Sequence, residues 1–298
     1  MKESVIWERP LYSLHHTRTE RPDRESFERH CHDRFELLYV VQGEGRYAVE
    51  GVEYPLRDNT AILLYPFKYH YIRPDEHTPY ERYVIHFSAS FLEPSLRTLP
   101  ILNRGDGGEH GIYFAADSME SSFAASLEAL NLYPHAQEIT GTEEGKDALV
   151  RAVLSQALIR LCAANPDLPA QGQRADSRSA RMIDYLNRNL TDHLTLDDMA
   201  KHFYMNKFYL CRVFREATGT TVFSYLQTKR VAMAEQLLQA GVPASEAAER
   251  VGFSDYSTFW RAYRKRKGHP PVQDTHGGEF SPFSVKKGES GRESREKD

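Results

Sequence analysis

The chain lacks the features that anchor a protein in a membrane or export it. Its 298 residues contain no apolar stretch long enough to span a bilayer. The first ten residues are short and mixed, without the charged start and apolar segment of a signal peptide. Three cysteines (Cys31, Cys162 and Cys211) are odd in number and lie far apart, which argues against a disulfide framework. We therefore expect a cytoplasmic protein without a membrane partner.

The chain as a whole also lacks a strong net charge, although its charge is unevenly distributed. The formal net charge of −4 would by itself argue against nucleic acid as a partner. Residues 176–273, however, hold 15 Lys and Arg against 10 Asp and Glu, so this part has about +5 and the remainder about −9. A basic run is otherwise a solvated helix face, but here it can neutralise phosphates and release counterions. The surplus is concentrated at Arg261, Arg264, Lys265, Arg266 and Lys267.

The last third of the chain contains two helix-turn-helix units in tandem. The first extends from Leu194 to Phe214 and the second from Ala247 to Tyr263. Each has a short helix with small inner residues, a tight turn, and a longer helix with apolar residues at four-residue spacing. The longer helix can pack on its domain with one face and present the other face to a DNA major groove. Two units allow one chain to read two successive turns of the groove.

The N-terminal half is predicted to be a β domain. Short strand-like runs alternate with turn signals between Phe35 and Phe87, which favours a small antiparallel barrel or sandwich. Beyond Met119 the apolar period becomes helical. The predicted fold is therefore α+β with two domains. Residues 1–164 form an antiparallel β-barrel with flanking helices, 165–178 a linker, 179–273 an all-α tandem helix-turn-helix domain, and 274–298 a disordered tail.

These motifs resemble those of a known family. Residues 181–271 resemble the DNA-binding domain of the AraC/XylS family of bacterial transcription regulators. The residues before 164 resemble the cupin-type effector domain of that family. The resemblance implies a regulator and not an enzyme, in which a cupin-like barrel senses a small molecule and the tandem units bind double-stranded promoter DNA. The matching motifs are Met199-Ala200, Leu210-xxx-Phe214, Val251-Gly252-Phe253-Ser254-Asp255, Gly268-xx-Pro271, His30-Cys31-His32-Asp33-xx-Glu36-Leu37, Gly43-Glu44-Gly45 and Pro66-xxx-His70.

The resemblance also implies an activator that contacts RNA polymerase, with a sugar or oligosaccharide as its effector. We further expect a homodimer formed through the helix over 147–164. The apolar residues of this helix cover more of its circumference than packing on one face of the barrel requires. The alternative is a helix sandwiched within its own domain.

Helical geometry selects the residues that would contact DNA. Leu210 and Phe214 share one stripe of the first recognition helix with Phe208 beside it, and all three are expected to be buried, as are Phe259 and Tyr263 in the second. The outward residues are Lys207, Cys211, Arg212, Arg215, Tyr256, Ser257, Trp260 and Arg261. Arg212 and Arg261 are the first choices for base contacts, because arginine reads guanine through two hydrogen bonds. The alternative for each is a phosphate contact, which positions the protein without specifying a base.

Four polar residues of the β domain are predicted to bind the effector: His30, His32, Glu36 and His70. The first three have the spacing of the first cupin motif. Three imidazoles and a carboxylate would suit Zn, Fe(II), Mn or Ni, but the same groups can hydrogen-bond a polar ligand or hold strands together. We expect a small-molecule site without catalytic residues, metal or cofactor. The alternative is a metal-dependent cupin enzyme or a metal sensor that carries a DNA-binding domain.

Overall fold

The computed structural model describes residues 2–23, 27, 29–103, 112–114, 121–163, 173–174 and 177–271. The predicted tail over 274–298 and most of the predicted linker lie outside these residues. None of the described helices combines the length and apolarity that crossing a bilayer requires.

Among the described residues, the N-terminal domain contains ten strands in two antiparallel sheets, as predicted for an α+β chain of this kind. The strands are β1 (Lys2–Glu8), β2 (Tyr12–Thr19), β3 (Phe35–Gln42), β4 (Gly45–Val49), β5 (Val52–Leu56), β6 (Ala61–Leu64), β7 (His70–Pro74), β8 (Tyr80–Phe87), β9 (Ile112–Phe114) and β10 (Gln173–Arg174). One sheet has the order β1-β2-β8-β3-β6-β9 and the other the order β10-β5-β4-β7.

Strand β3 shows how the domain builds two apolar layers from one sequence. Successive side chains of a strand point to opposite faces. Leu38 and Val40 therefore enter the core between the two sheets, whereas Leu37 and Tyr39 pack toward the helices on the other side. The six-stranded sheet is buried on both faces. This explains why β3 reads as a continuous apolar run and not as a strict alternation.

The residues Glu50-Gly51, between two strand-like runs, are a sequence signal for a tight hairpin, and such a turn joins β4 and β5. Both central residues have positive φ, 47° at Glu50 and 84° at Gly51, as two-residue hairpins with the twist of the flanking strands require. The turn places Glu50 at the tip of the hairpin, where its side chain reaches the second domain.

The helices of this domain are α1 (Pro100–Asn103), α2 (Ser121–Glu128), α3 (Ala136–Thr140) and α4 (Glu144–Ala163). Helices α1, α2 and α4 cover the outer face of the six-stranded sheet, and α3 packs against α4. Helix α4 contains the apolar residues on which the predicted homodimer rests. Five of the seven are buried within the same domain: Val150, Val153, Leu154, Leu158 and Leu161. Ile159 is exposed and Leu149 is half-buried. Packing inside the domain thus accounts for the broad apolar face.

The C-terminal domain is all-α, as predicted. Its helices are α5 (Ser177–Arg188), α6 (Leu196–His202), α7 (Lys207–Thr218), α8 (Val222–Gln239), α9 (Ala244–Arg250) and α10 (Tyr256–Lys267). Two separate cores, one around Phe214 and one around Phe259, correspond to the two helix-turn-helix units. Helix α8 contributes to both cores and joins the units.

Two details correct the predicted organisation. Residues 173 and 174 of the predicted linker pair with β5 and extend the four-stranded sheet, and α5 begins at Ser177, before the predicted boundary at 179. No strand was predicted before Phe35, yet β1 and β2 extend the six-stranded sheet beyond β8. Strand β2 contains histidine and threonine at partly exposed positions, so its hydrophobic alternation is weak.

Two glycines with similar backbone angles provide a matched test of the second helix-turn-helix. Gly241 has φ of 85° with open space around the missing Cβ, whereas a Cβ at Gly252, with φ of 89°, would overlap the carbonyl oxygen of Thr191. Gly241→Ala is expected to lower the free energy of unfolding by about 1–2 kcal/mol through the left-handed backbone alone. Gly252→Ala should cost at least about 1 kcal/mol more, because the backbone must also move. Equal losses in urea unfolding would contradict this close approach.

Candidate effector site and nucleic-acid interface

The carboxylate of Glu36 is the centre of a buried polar cluster in the N-terminal domain. Its Oε2 atom lies 3.1 Å from Nε2 of His32, 3.2 Å from Nε2 of His70 and 3.0 Å from Nε2 of His86. Its Oε1 atom accepts a hydrogen bond of 2.9 Å from the hydroxyl of Tyr47. Glu36 and His70 are almost wholly buried. One carboxylate therefore contacts three imidazoles and a phenol.

The strands explain why these side chains meet. Glu36 lies on the same face of β3 as Leu38, and its direct cross-strand partner in β8 is His86. His70 begins β7 in the opposite sheet, and its backbone exchanges hydrogen bonds of 3.1 and 2.9 Å with the backbone of His30. The cluster therefore occupies one end of the layer between the two sheets, where the apolar core gives way to polar residues.

Burial determines the protonation of the cluster. Desolvation lowers the pKa of His32 to about 4, and repulsion from His86 adds to this effect. Desolvation also lowers the pKa of His86, against the attraction of Glu36. Burial alone would raise the pKa of the Glu36 carboxyl, but the attraction of His70 and the close ring nitrogens hold it well below its ordinary value. At neutral pH Glu36 is a carboxylate and His32 a neutral imidazole.

The structure brings the four predicted effector residues together. One ligand atom from each of His30, His32, Glu36 and His70 lies within 4.8 Å of the other three. His86 and Tyr47, which hold Glu36 from two further strands, were not predicted. A signal for His86 was present, because it lies two residues from the buried Val84 and so on the same face of β8.

The eight predicted DNA-contacting residues lie on the accessible side of α7 and α10. Six are exposed: Lys207, Arg212, Arg215, Tyr256, Ser257 and Arg261. Cys211 and Trp260 are half-buried. The caps of both helices fix where these faces begin, since the side chains of Asn206 and Asp255 accept hydrogen bonds from the third helical N–H group. Leu210, Phe214, Phe259 and Tyr263 are buried, as expected.

The prediction for Phe208 was wrong. This side chain is 90% exposed, and Tyr204 in the preceding turn is 97% exposed. Phe208 lies two residues before Leu210, and residues at that spacing point to nearly opposite sides of a helix. The two aromatic residues therefore add apolar surface to the start of the first recognition helix.

The basic run at the end of α10 is only partly free for phosphates. Arg266 donates hydrogen bonds of 3.1 and 3.2 Å to Thr228 and Ser224 of α8, and Lys267 forms a 2.6 Å ion pair with Glu235. These two residues hold α10 against α8. The exposed cations of the run are Arg261, Arg264 and Lys265.

A second buried polar network joins the two domains. Glu50, at the tip of the β4–β5 hairpin, forms an ion pair with Lys229 of α8, and their side chains are only 1% and 4% exposed. Tyr225 of α8 donates a 3.1 Å hydrogen bond to Oε1 of Glu50, and Asn187 of α5 donates a 3.0 Å bond to Oε2. Lys229 also donates a 2.6 Å bond to the side-chain oxygen of Asn187.

Short stretches of chain connect this interface to the histidine cluster. Tyr69, next to His70, packs against Tyr225 with ring centroids 5.2 Å apart and accepts a 2.9 Å backbone hydrogen bond from Glu50. Arg29, next to His30, lies so close to Gly219 at the end of α7 that a Cβ there would overlap the guanidinium. Two of the four predicted effector residues are therefore sequence neighbours of residues at the domain interface.

Comparisons with known proteins agree with the two-domain arrangement. The family model of the AraC-like ligand binding domain matches residues 17–161, and that of a helix-turn-helix domain matches residues 199–275. The chain is 24% identical over 246 residues to the HTH-type transcriptional regulator YfiF of Bacillus subtilis, covering 81% of this chain and 76% of that protein. It is 24% identical over 239 residues to YbfI of the same organism, covering 78% and 81% of the two chains.

Similar solved structures include an apo form of a ToxT variant from Vibrio cholerae, with a TM-score of 0.44, 13% identity, and coverage of 89% of this chain and 97% of that chain. The DNA-binding domain of AdpA in complex with a target DNA has a TM-score of 0.30 and 26% identity, with coverage of 31% of this chain and 85% of that chain.

Because Phe208 is exposed and Leu210 is buried, replacing each of them tests how α7 is oriented. Phe208→Ala should change the free energy of unfolding by no more than about 0.5 kcal/mol, because its ring contributes little to the core. Leu210→Ala removes a fully buried side chain and should cost about 2–5 kcal/mol. Urea unfolding of both variants measures the difference, and a large loss in Phe208→Ala would show that this ring is buried.

Proposed function

This chain belongs to the AraC family of transcription regulators, and we propose that a ligand bound in its N-terminal domain controls how α7 and α10 bind promoter DNA. The observation that carries the proposal is the buried network between Glu50 and Lys229, which connects the ligand-binding domain to the helix joining the two DNA-binding units. The relatives YfiF and YbfI, whose names describe them as HTH-type transcriptional regulators, support a regulatory role over an enzymatic one.

The DNA contacts follow from the exposed faces of the two recognition helices. Arg212 and Arg261 are exposed and carry the bidentate donors that match the major-groove edge of guanine. Phe208 presents an apolar ring, whose natural partner in the major groove is the methyl group of thymine. Arg264 and Lys265 are suited to phosphate contacts, which position the domain and make binding sensitive to salt.

The ligand can control DNA binding only if it binds more tightly to one arrangement of the two domains than to another. The residues between the histidine cluster and α8 provide the physical connection. A change in the position of His70 displaces its neighbour Tyr69, which contacts both Tyr225 and the backbone of Glu50. The ligand thereby alters how α8, and with it both helix-turn-helix units, is held against the β domain.

The family resemblance also leads us to propose an activator that contacts RNA polymerase. A cytoplasmic location is proposed from the sequence features described above. A homodimer stays a prediction, since packing within the domain accounts for the apolar face of α4. A sugar held among the four predicted effector residues is disfavoured. Glu36 already lies 3.0–3.2 Å from ring nitrogens of His32, His70 and His86, so the polar atoms that a sugar would need are in contact with one another.

Base reading by α7 can be tested with the full chain. Selection from random DNA first defines the preferred site. Arg212→Ala should then weaken binding to that site by about 1–3 kcal/mol and relax the preference at one base pair. Arg57→Ala removes an exposed arginine from the N-terminal domain and serves as the control. A uniform loss over all sequences would make Arg212 a phosphate contact, and unchanged binding would exclude α7 as the reading helix.

The domain connection can be tested by removing one charge at a time. Lys229→Met removes the closer of the two described lysines that pair with Glu50 and leaves Lys68, whose Nζ lies 3.9 Å from Oε2. The contact should be destabilised by up to about 3–5 kcal/mol, because the remaining lysine compensates the buried carboxylate only in part. Calorimetry is expected to show the two domains unfolding in separate transitions. The double variant Glu50→Gln/Lys229→Met should recover part of the loss, because neither charge is then left unpaired.

Lys201→Met, on the exposed surface of α6, is the control for loss of a lysine. If Lys229→Met unfolds with the same profile as wild type, the ion pair does not couple the domains.

A further inference from the structure

The hydrogen bonds of the histidine cluster determine which ring nitrogens bear protons. Nδ1 of His32 lies 2.9 Å from the carbonyl oxygen of Arg34, and Nδ1 of His70 lies 2.8 Å from the carbonyl oxygen of Lys68. A carbonyl oxygen only accepts hydrogen bonds, so both Nδ1 atoms must be protonated. In a neutral imidazole the other nitrogen, Nε2, then presents a lone pair.

Both lone pairs face the same carboxylate oxygen. Nε2 of His32 and Nε2 of His70 lie 3.1 and 3.2 Å from Oε2 of Glu36, which is itself an acceptor. Without a positive charge between them, three acceptors face one another in a buried site. Nε2 of His70 is buried and has no hydrogen-bond partner of acceptable geometry among the described residues. Such an arrangement is costly for groups removed from water.

Additional protons do not resolve this conflict well. A proton on Nε2 of one of the two imidazoles, His32 or His70, would still leave the lone pair of the other facing the carboxylate of Glu36. Protons on both would place two buried cations beside this single carboxylate. A divalent cation satisfies all the lone pairs at once. Donation of Nδ1–H to a backbone carbonyl is also how proteins usually orient a histidine that binds metal through Nε2.

We propose that the cluster of His30, His32, Glu36 and His70 binds a divalent first-row transition-metal ion, and that this ion is the ligand to which the regulator responds. The inference rests on the proposed function, since it names the ligand of the same site. Three imidazoles and one carboxylate suit Zn²⁺, Fe²⁺, Co²⁺ or Ni²⁺ better than Ca²⁺ or Mg²⁺, which prefer oxygen donors.

The remaining neighbours of Glu36 act as positioning residues. Tyr47 donates to Oε1, and His86 can donate from Nε2 to Oε2 while its Nδ1 accepts from the hydroxyl of Ser13, 3.0 Å away. These contacts orient the carboxylate without using the lone pairs of the other imidazoles. His86 therefore holds a ligand in place, whereas His32 and His70 contact the metal.

Metal binding by the full chain, prepared without a histidine tag, tests the proposal. Protein stripped with a chelator is dialysed against ZnCl₂ or CoCl₂, and the bound metal is measured by elemental analysis. One equivalent per chain is expected, with the visible absorption of Co²⁺ in a nitrogen and oxygen environment. His32→Ala and His70→Ala should weaken the affinity at least about tenfold, and His86→Ala about 10–100-fold.

His135→Ala removes an exposed histidine outside the cluster and should bind like wild type. Wild-type protein that takes up less than half an equivalent of each metal tested, Zn²⁺, Co²⁺, Ni²⁺ and anaerobic Fe²⁺, would overturn the metal site. Uptake that is the same in folded His32→Ala would overturn the ligand assignment. The wild-type stoichiometry tests the metal site without any variant, so this test stands even if His32→Ala does not fold.

Affinity for the selected DNA site, measured with stripped and metal-loaded protein, separates this inference from the proposed function. A metal-dependent change of at least about fivefold supports both. Stoichiometric, His32-dependent metal binding with equal DNA affinity would establish the site and overturn the ion as the regulatory ligand. Specific DNA binding without metal uptake would overturn the metal inference and leave the DNA-binding function standing.

Discussion

The ion pair between Glu50 and Lys229 is the interaction on which the arrangement of the two domains depends. Both charges are removed from water, and Lys229 is the closer of the two described lysines that pair with Glu50, the other being Lys68 at 3.9 Å. The buried ammonium of Lys229 is tolerated only while this carboxylate is in place. The hairpin tip that carries Glu50 is a tight turn with two positive φ values, which leaves the carboxylate little freedom to follow a moving partner. A pair of this kind contributes modest net stability but strong geometric selectivity, because small displacements leave charges without compensation.

The two buried carboxylates of the β domain are connected by one strand. Tyr47 on β4 donates to Glu36, and Glu50 follows β4 at the hairpin turn. Strand β7 runs beside β4 and begins at His70, whose neighbour Tyr69 accepts from the backbone of Glu50. Glu50 has a lysine as its cation, whereas the side chains described above around Glu36 are imidazoles and a phenol. A metal ion from solution would therefore supply to Glu36 the positive charge that Lys229 of α8 supplies to Glu50.

The parts of this structure that local chemistry determines could be predicted from the sequence. The periodicity of α7 and α10 and the turn at Glu50 each depend on a few neighbouring residues. His30, His32 and Glu36 could be grouped because their spacing is short, and His70 was added from the cupin resemblance. The pair Glu50–Lys229 could not be predicted, since its members are 179 positions apart and neither lies in a motif. Phe208 was misplaced because it was assigned to the apolar stripe of Leu210 without counting the rotation per residue.

The position of the interface explains why a change at the ligand site would reach DNA. Arg29 stacks on the ring of Tyr71, 4.6 Å from its centroid, and also contacts Gly219, which caps α7 in a left-handed conformation. His30 follows directly in sequence and pairs with His70. The segment that supplies one proposed ligand therefore also contacts the end of the first recognition helix, while Glu50 holds α8 behind it. Because α8 contributes to both apolar cores, a rigid displacement of this helix moves α7 and α10 together. Two successive major-groove contacts require a fixed spacing between these helices, so a change at the contact between α8 and the β domain would reach both of them together.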